Sequence, residues 1–423
     1  MNRRPTAAVL VTGSEILLGR TQDRNSGTLA RSLDAHGLRL ERVVAVDDRA
    51  EHLRAALDGL LREGYDLICT SGGLGPTHDD RTVQIVAEAT GRPLVLDEPI
   101  LAEITEIVTG YAAQRGVSVD LLLPGARKQA MIPDGAHVLS PAGTAPGVIV
   151  PGDSTIVVLP GPPTELAAVW ARALAHPALA DLLGLQLERR ILRIWSTPES
   201  TVARVFDELG GDAHGTETSI CATRLEVEVV IRFPPPARAA GNRLADGLVA
   251  AFGDSVYAED DQTVEERVVE TLIERGLTIG TAESCTAGMI AARLGGVAGA
   301  SAAFDGGIVA YANDVKTAQV GVPEELLARH GAVSPEVARA LAEGVCQQLG
   351  CDIGVGVTGI AGPTGGSAEK PVGLVHIAVV GPRGAVQTLE RRFPGDRDAV
   401  RTNSATAALH LVRLLLAADT DAA

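Results

Sequence analysis

The order of apolar runs predicts two α/β domains joined by a small α+β module. Three observations carry this reading. Short apolar strands alternate with helical segments up to about residue 170, paired strands punctuated by Pro234, Pro235 and Pro236 follow, and a strand–helix alternation closed by one long helix resumes near Gln262.

In the first block Ala7–Thr12 reads as a strand and Asn25–His36 as a helix stopped by Gly37. Arg42–Val46 is a second strand, Ala50–Arg62 a helix and Asp66–Ser71 a buried strand. This βαβαβ rhythm builds a mostly parallel sheet with helices on both faces, whose ligands sit beyond the C-terminal strand ends. The loops at residues 12–20 and 71–81 fall there. In the middle block Arg190–Trp195, Ser219–Ala222 and Glu226–Phe233 read as strands, and Glu199–Leu209 and Ala239–Phe252 as helices. In the third, Thr263–Arg275 is a helix, Thr278–Ala282 a strand and Ser284–Leu294 a helix. Ser334 caps a further helix with Pro335 at its first position. Asp352–Val357 and Val372–Val380 are strands, and Asp396–Leu416 closes the chain as a helix.

Composition narrows the function. Over 423 residues, 53 acidic against 37 basic side chains give a net charge of -16, which argues against a general nucleic-acid or anionic-membrane binder. Aromatic content of 3% leaves little for base-stacking platforms. No apolar run reaches the ~20 residues of a membrane span, and the N-terminal apolar stretch is too short for a secretory signal. Cys69, Cys221, Cys285, Cys346 and Cys351 are scattered and lack paired zinc spacing, as expected in a reducing cytoplasm. Of the 37 basic residues only Lys128, Lys316 and Lys370 are lysine. Only lysine sheds its proton within the range a protein environment reaches, so these three are places to look for chemistry.

Ser71–Asp80 (SGGLGPTHDD) follows a buried strand directly. Gly72, Gly73 and Gly75 let backbone N–H groups approach an anion, and Asp79 and Asp80 beside a phosphate suit a divalent cation between them. A tight turn with an acidic cap is the alternative. Four more segments accompany this loop: Thr12–Gly19 (TGSEILLG), Lys128–Pro133 (KQAMIP), Gly143–Gly147 (GTAPG) and Leu159–Glu165 (LPGPPTE). In this order the five closely resemble the N-terminal domain of the CinA (competence/damage-inducible) family, which is similar to the three-layer molybdopterin-binding fold. The resemblance implies an ADP-ribose pyrophosphatase dependent on a divalent metal (Mg, Co or Mn), with the metal and diphosphate site on Asp79 and Asp80. Glu15 is a further candidate metal ligand, Glu15 or Asp80 would orient water, and Lys128 would hold phosphate oxygens or serve as a surface ion-pair partner. Thr144 is a further binding candidate or a loop stabiliser.

Thr281–Gly288 (TAESCTAG) marks a strand-to-helix transition and puts Ser284 at the expected helix N-terminus, as nucleophile or as cap. Gly306–Lys316 (GGIVAYANDVK) places the Tyr311 phenol and the Lys316 amine five residues apart beyond an apolar strand. Val357–Gly373 runs from a strand into a glycine-rich loop carrying Lys370. These three segments are similar to the C-terminal CinA domain, the nicotinamide mononucleotide deamidase family. The resemblance implies metal-free hydrolysis of that carboxamide, with Ser284, Tyr311, Lys316 and Thr358 as active-site residues. Gly306, Gly359 and Lys370 are candidate substrate contacts, Lys370 alternatively a loop anchor. Arg397 and Arg401, four apart on the last helix, either grip a phosphate or form a solvated face. Cys285 reads as a small buried residue.

The middle block matches the family's KH-like domain by position but has no GxxG loop, so it reads as a spacer or dimerisation element. The expected organisation is 1–172, 173–260 and 261–423, in a cytoplasmic homodimer acting on small nucleotides. The alternatives are a non-catalytic nucleotide or pterin module at the N-terminus, and a recombination- or competence-associated regulatory partner.

Overall fold

The computed structural model describes residues 3–183 and 187–418. The chain forms two compact units, Met1–Leu187 and Glu188–Ala423.

The first unit is built on a six-stranded sheet. Its order is Arg39–Val46, Thr6–Thr12, Leu67–Ser71, Thr155–Leu159, Gly147–Val150, His137–Leu139. The first three pairings are parallel and the last two antiparallel. Alternate residues of the central strands feed two cores, as a sheet covered on both faces requires. Ala8, Leu10, Ile68, Ile156 and Val158 pack with helices Ala50–Glu63, Thr82–Ala89 and Glu98–Arg115. Ala7, Val9, Val11, Leu67 and Val157 pack with helices Asn25–Ala35 and Pro163–Leu174. The glycine-rich loop leaves the C-terminal end of Leu67–Ser71, at the mouth of the sheet.

The second unit holds two sheets. An antiparallel sheet of order Glu217–Thr223, Glu226–Phe233, Glu188–Trp195, Val256–Ala258 packs on helices Glu199–Glu208 and Arg238–Phe252. A mixed sheet of order Phe304–Val309, Ile279–Glu283, Ile353–Gly359, Leu374–Val380, Val386–Arg392 carries the later motifs. Its first two pairings are parallel and its last two antiparallel. Val355 and Val357 face helices Val264–Arg275 and Arg397–Ala418, whereas Gly354 and Gly356 face helix Pro335–Leu349. A Cβ on Gly356 would lie 2.1 Å from the Ala338 carbonyl oxygen, so that helix rests on bare backbone. Thr263 closes a capping box with Glu266, and Ser334 caps Pro335–Leu349 through the Val337 N–H. The small sheet joins the large one through His410, fully buried on the last helix. Its ring stacks on Trp195 at 4.5 Å and its Nε2 lies 2.8 Å from Glu226 Oε1.

One element departs from expectation. The helix expected over Ser284–Leu294 begins only at Met289. Ala287 and Gly288 take positive φ of 50° and 89°, so residues 284–288 form a loop and Ser284 stands at a strand end rather than a helix N-terminus.

Candidate active sites

In the first unit the five motifs converge through named contacts. Gln129 Nε2 donates to Leu74 O at 2.9 Å and to Thr144 Oγ1 at 3.4 Å, tying KQAMIP to the glycine loop and to GTAPG. Asn25 Nδ2 donates to Ser71 Oγ at 2.8 Å and Gly161 O at 2.7 Å, adding the LPGPP turn. A Cβ on Gly72 would lie 2.6 Å from Thr12 O, which brings in the first loop. Asp48 anchors that loop, accepting from Thr12 Oγ1 at 3.0 Å, Ser14 Oγ at 2.7 Å and Ser14 N at 2.9 Å. Sequence reasoning missed Gln129, Asp48 and Asn25 as connectors; each is a polar residue at an element end, with no local spacing to flag it.

A cavity of about 110 Å³ lies between these loops, lined by Gly73, Gly75, Asp80, Lys128, Gln129 and Pro146 among others. Asp79 and Asp80 both accept from Thr77 Oγ1, and Asp80 Oδ2 also accepts from the Thr77 N–H at 3.1 Å. The Thr77 hydrogen bond holds the Asp79 carboxyl below its usual range. Gly75 is small because Asp80 needs the space: an added Cβ would lie 2.3 Å from Asp80 Oδ2. Lys128 Nζ donates to Thr77 O and, at 3.5 Å, to Gly75 O. Burial pushes its ammonium pKa down, while Asp80 and Asp79 pull it back up. Lys128 is therefore a cation over the loop rather than a surface ion-pair partner. Burial raises the Glu165 carboxyl, which packs against Gly143.

Among the described residues no group of three or more His, Cys, Asp or Glu side chains converges for a metal ion. Glu15 is exposed with its carboxylate folded back over Gly13; Asp80 lines the cavity, whereas neither Glu15 nor Asp79 does, Asp79 being tied to Asp80 through Thr77. Asp79 and Asp80 alone still fit a magnesium-type ion, which is commonly held by one or two carboxylates plus substrate phosphates and water. Replacing Gly75 with alanine should displace the Asp80 carboxylate at little cost to the backbone. The expected result is a thermal midpoint within a few degrees of the parent and a weakened response of that midpoint to divalent metal plus ADP-ribose, measured by differential scanning fluorimetry.

In the second unit Ser284 follows Ile279–Glu283, and its N–H donates to Val357 O at 2.9 Å, setting it beside Thr358 on the neighbouring strand. Its side chain is 8% exposed. Glu283 takes the place expected of Ser284. This carboxylate, 1% exposed, accepts from the N–H groups of Gly288 at 3.0 Å, Ile290 at 3.1 Å and Ala291 at 2.8 Å, and from Thr281 Oγ1 at 3.3 Å. It satisfies the helix start from outside and folds loop 284–288 around itself. An acid ending an otherwise apolar strand was the available signal, because a buried carboxylate requires donors.

Lys316 lies in helix Asn313–Val320, 1% exposed, and its Nζ donates to Tyr311 O at 2.8 Å. No carboxylate pairs with it among the described residues. Burial lowers its pKa, and the nearby Cys285 thiol, next to Ser284, is the opposing influence. The Tyr311 phenol is half-exposed and accepts from Arg397 Nη2 at 2.7 Å, so Lys316 is held by the Tyr311 carbonyl and not by the ring. Arg397 Nη1 donates to Gly362 O at 2.9 Å, and Arg401 Nη2 to Thr286 O at 3.0 Å. The two arginines thus bridge all three motifs, Arg397 from an exposed position and Arg401 from a partly buried one. Arg401 Nε and Thr286 Oγ1 are buried without partners.

Thr358 Oγ1 donates to Ala332 O at 2.6 Å. Lys370 Nζ donates to His330 O and Val333 O, both at 2.7 Å, and so anchors its loop. Gly359 is required by packing, since a Cβ would meet Val375 Cγ2 at 2.7 Å. An added Cβ at Gly306 would make an ordinary contact with Leu349 Cδ1 at 3.7 Å, so its φ of 152° rather than packing favours glycine there. Burial pushes the Cys285 thiol up to about 12, leaving it protonated. Cys285→Ala should accordingly keep most of the turnover assigned to this site, measured as product formation at neutral pH; loss of all turnover would make Cys285 the nucleophile.

Sheet order and motif geometry define a class of protein: a molybdopterin-binding-type domain followed by a CinA-type C-terminal domain. Residues 8–181 match the family described as "probable molybdopterin binding domain" and residues 261–416 the CinA C-terminal domain. A CinA-like protein of Mycobacterium sp. (strain JLS) is 44% identical over 416 residues, covering 97% of this chain and 98% of that one. A CinA-like protein of Mycobacterium tuberculosis (strain ATCC 25177 / H37Ra) is 41% identical over 419 residues, covering 97% of each. The crystal structure of the competence/damage inducible protein CihA from Agrobacterium tumefaciens is similar at 40% identity and a TM-score of 0.35, covering 37% of this chain and 99% of that one. The chain belongs to the CinA family.

Proposed function

We propose that this chain is a bifunctional pyridine-nucleotide hydrolase of the cytoplasm. Its C-terminal domain converts nicotinamide mononucleotide to nicotinate mononucleotide and ammonia; its N-terminal domain cleaves ADP-ribose to AMP and ribose 5-phosphate. The observation that carries the first activity is Lys316, a buried amine that senses Cys285, next to Ser284, and has the Tyr311 carbonyl but, among the described residues, no carboxylate as partner. Such a lysine is readily neutral, and a neutral amine is a base.

Lys316 takes the Ser284 hydroxyl proton as the oxygen attacks the carboxamide carbon. The carbon–nitrogen bond breaks and the proton leaves with ammonia. Water then hydrolyses the Ser284 ester and releases the acid. Backbone N–H groups at the Thr358–Gly359 strand end stabilise the oxyanion. Arg401 Nε and the Thr286 hydroxyl, both unpartnered, receive the substrate phosphate with Arg397. In the competing reading Lys316 is a permanent cation against the substrate and Ser284 merely orients water; turnover retained in Lys316→Arg would favour it.

In the N-terminal domain Asp79 and Asp80 would hold a divalent ion that neutralises diphosphate charge, while Gly73, Gly75 and Lys128 position the phosphate oxygens. Asp80→Asn should abolish AMP release from ADP-ribose and leave deamidation intact, read by separating both nucleotide products from one preparation. AMP release at the parent rate would favour a non-catalytic role for the Asp79–Asp80 loop.

A further inference from the structure

Helix Pro335–Leu349 ends at Gly350, in the left-handed region at φ 72°, and the chain re-enters the sheet at Ile353. This sharp return brings Cys346, in the last helical turn, and Cys351, just before the strand, onto the same face of the sheet. Beneath them lie Gly280 and Gly354, register partners on adjacent parallel strands. A Cβ on Gly354 would lie 2.6 Å from Cys346 Sγ, and one on Gly280 2.9 Å from Cys351 Sγ. Neighbouring strands are about 4.8 Å apart, so the two sulfurs fill adjoining spaces that the two glycines leave open. Cys346 is half-buried, packed against Ala338, Ala342 and Ala378; Cys351 is 7% exposed and lies 3.3 Å from Ile353 O.

We propose that Cys346 and Cys351 form a redox-modification site in which a hydroperoxide oxidises Cys346 and Cys351 resolves it to an intramolecular disulfide. The Cys346 thiolate attacks one peroxide oxygen and the O–O bond breaks. Hydroxide leaves, takes up a proton to become water, and Cys346 becomes a sulfenic acid. The Cys351 sulfur then attacks the Cys346 sulfur; the S–O bond breaks and the oxygen departs as a second water with the thiol proton. Two thiols are oxidised and one peroxide is reduced. The pairing is asymmetric in the sense this order requires. The Cys351 hydrogen bond holds the Cys346 thiol below its ordinary range, against burial and the Asp352 and Glu343 charges, and raises Cys351. Cys69 and Cys285 are buried with their thiols raised by desolvation, which disfavours attack there.

The test treats the full-length protein with hydrogen peroxide, removes the oxidant, alkylates under denaturing conditions and weighs the proteolytic peptide spanning both cysteines. The expected result is a peptide lighter by two hydrogens with neither cysteine alkylated, restored to double alkylation by dithiothreitol. In Cys346→Ser the remaining Cys351 should alkylate fully; in Cys351→Ser a dimedone-reactive sulfenic acid should persist at Cys346. Full alkylation of both thiols after peroxide would overturn the proposal, and so would a parent Cys346 that proceeds to sulfinic acid without losing hydrogens. The parent peptide alone decides between these outcomes, so the result does not depend on the variants folding or on either hydrolase activity.

Discussion

Lys316→Met should yield a protein that is inactive as a deamidase and melts at a higher temperature than its parent. The two effects have one cause. Burial lowers the Lys316 pKa, so the folded chain resists a proton that the unfolded chain takes up freely. Between the folded and unfolded pKa values the unfolded state binds more protons, and stability rises with pH through that window. At neutral pH the folded state bears this cost, and methionine of similar length removes it. Activity needs the neutral amine, so kcat should rise with pH through a transition below the ordinary lysine range. Loss of a general base is worth about 10²–10⁴-fold in rate. Lys316→Arg keeps a cation that cannot serve as base, and it should lose turnover comparably. Near-normal turnover in the arginine variant would remove the base role from Lys316.

Glu283→Ala should be the most damaging substitution for the fold of the second unit. It leaves the part-buried Gly288 and Ala291 N–H groups and the buried Ile290 N–H without their acceptor. Each buried orphan costs about 1–3 kcal/mol, so a loss on the order of 3 kcal/mol or more is expected even after relaxation. Loop 284–288 would lose its frame together with Ser284. Glu283→Gln keeps the shape but turns an amide N–H₂ toward a backbone donor; it should retain more stability than alanine while still lowering kcat more than it changes KM. Urea titration and steady-state kinetics on the two variants separate these expectations. An alanine variant as stable as the parent would show that the loop stands without Glu283.

These two residues also show what the sequence made legible. The strand and helix pattern followed from period and punctuation: the short apolar runs, the helix opening at Thr263 and the Ser334–Pro335 start all appear where expected. Lys316 was singled out by residue type and by its segment. Glu283 was not, because its partners lie five to eight residues ahead, across a turn that only Ala287 and Gly288 in positive φ make. Helix periodicity from Ser284 onward looked continuous, and the buried acid that interrupts it acts through space. The glycine-rich loop does not reveal that Lys370 reaches two carbonyls across it or that Gly359 leaves no room for a side chain against the Leu374–Val380 strand. Conversely Arg397 and Arg401, which periodicity alone leaves as a polar helix face, reach Tyr311, Gly362 and Thr286. In the first unit the adjacency of Asp79 and Asp80 was legible, whereas the separation of Glu15 depends on how Gly13 lets its carboxylate fold back.

The most direct test of the central claim is ammonia release from nicotinamide mononucleotide by the full-length protein, with and without a chelator, beside Ser284→Ala. The account predicts stoichiometric ammonia and nicotinate mononucleotide from the parent, the same rate in chelator, and none from the variant. No ammonia from the parent, release that stops in chelator, or undiminished release by Ser284→Ala would contradict it.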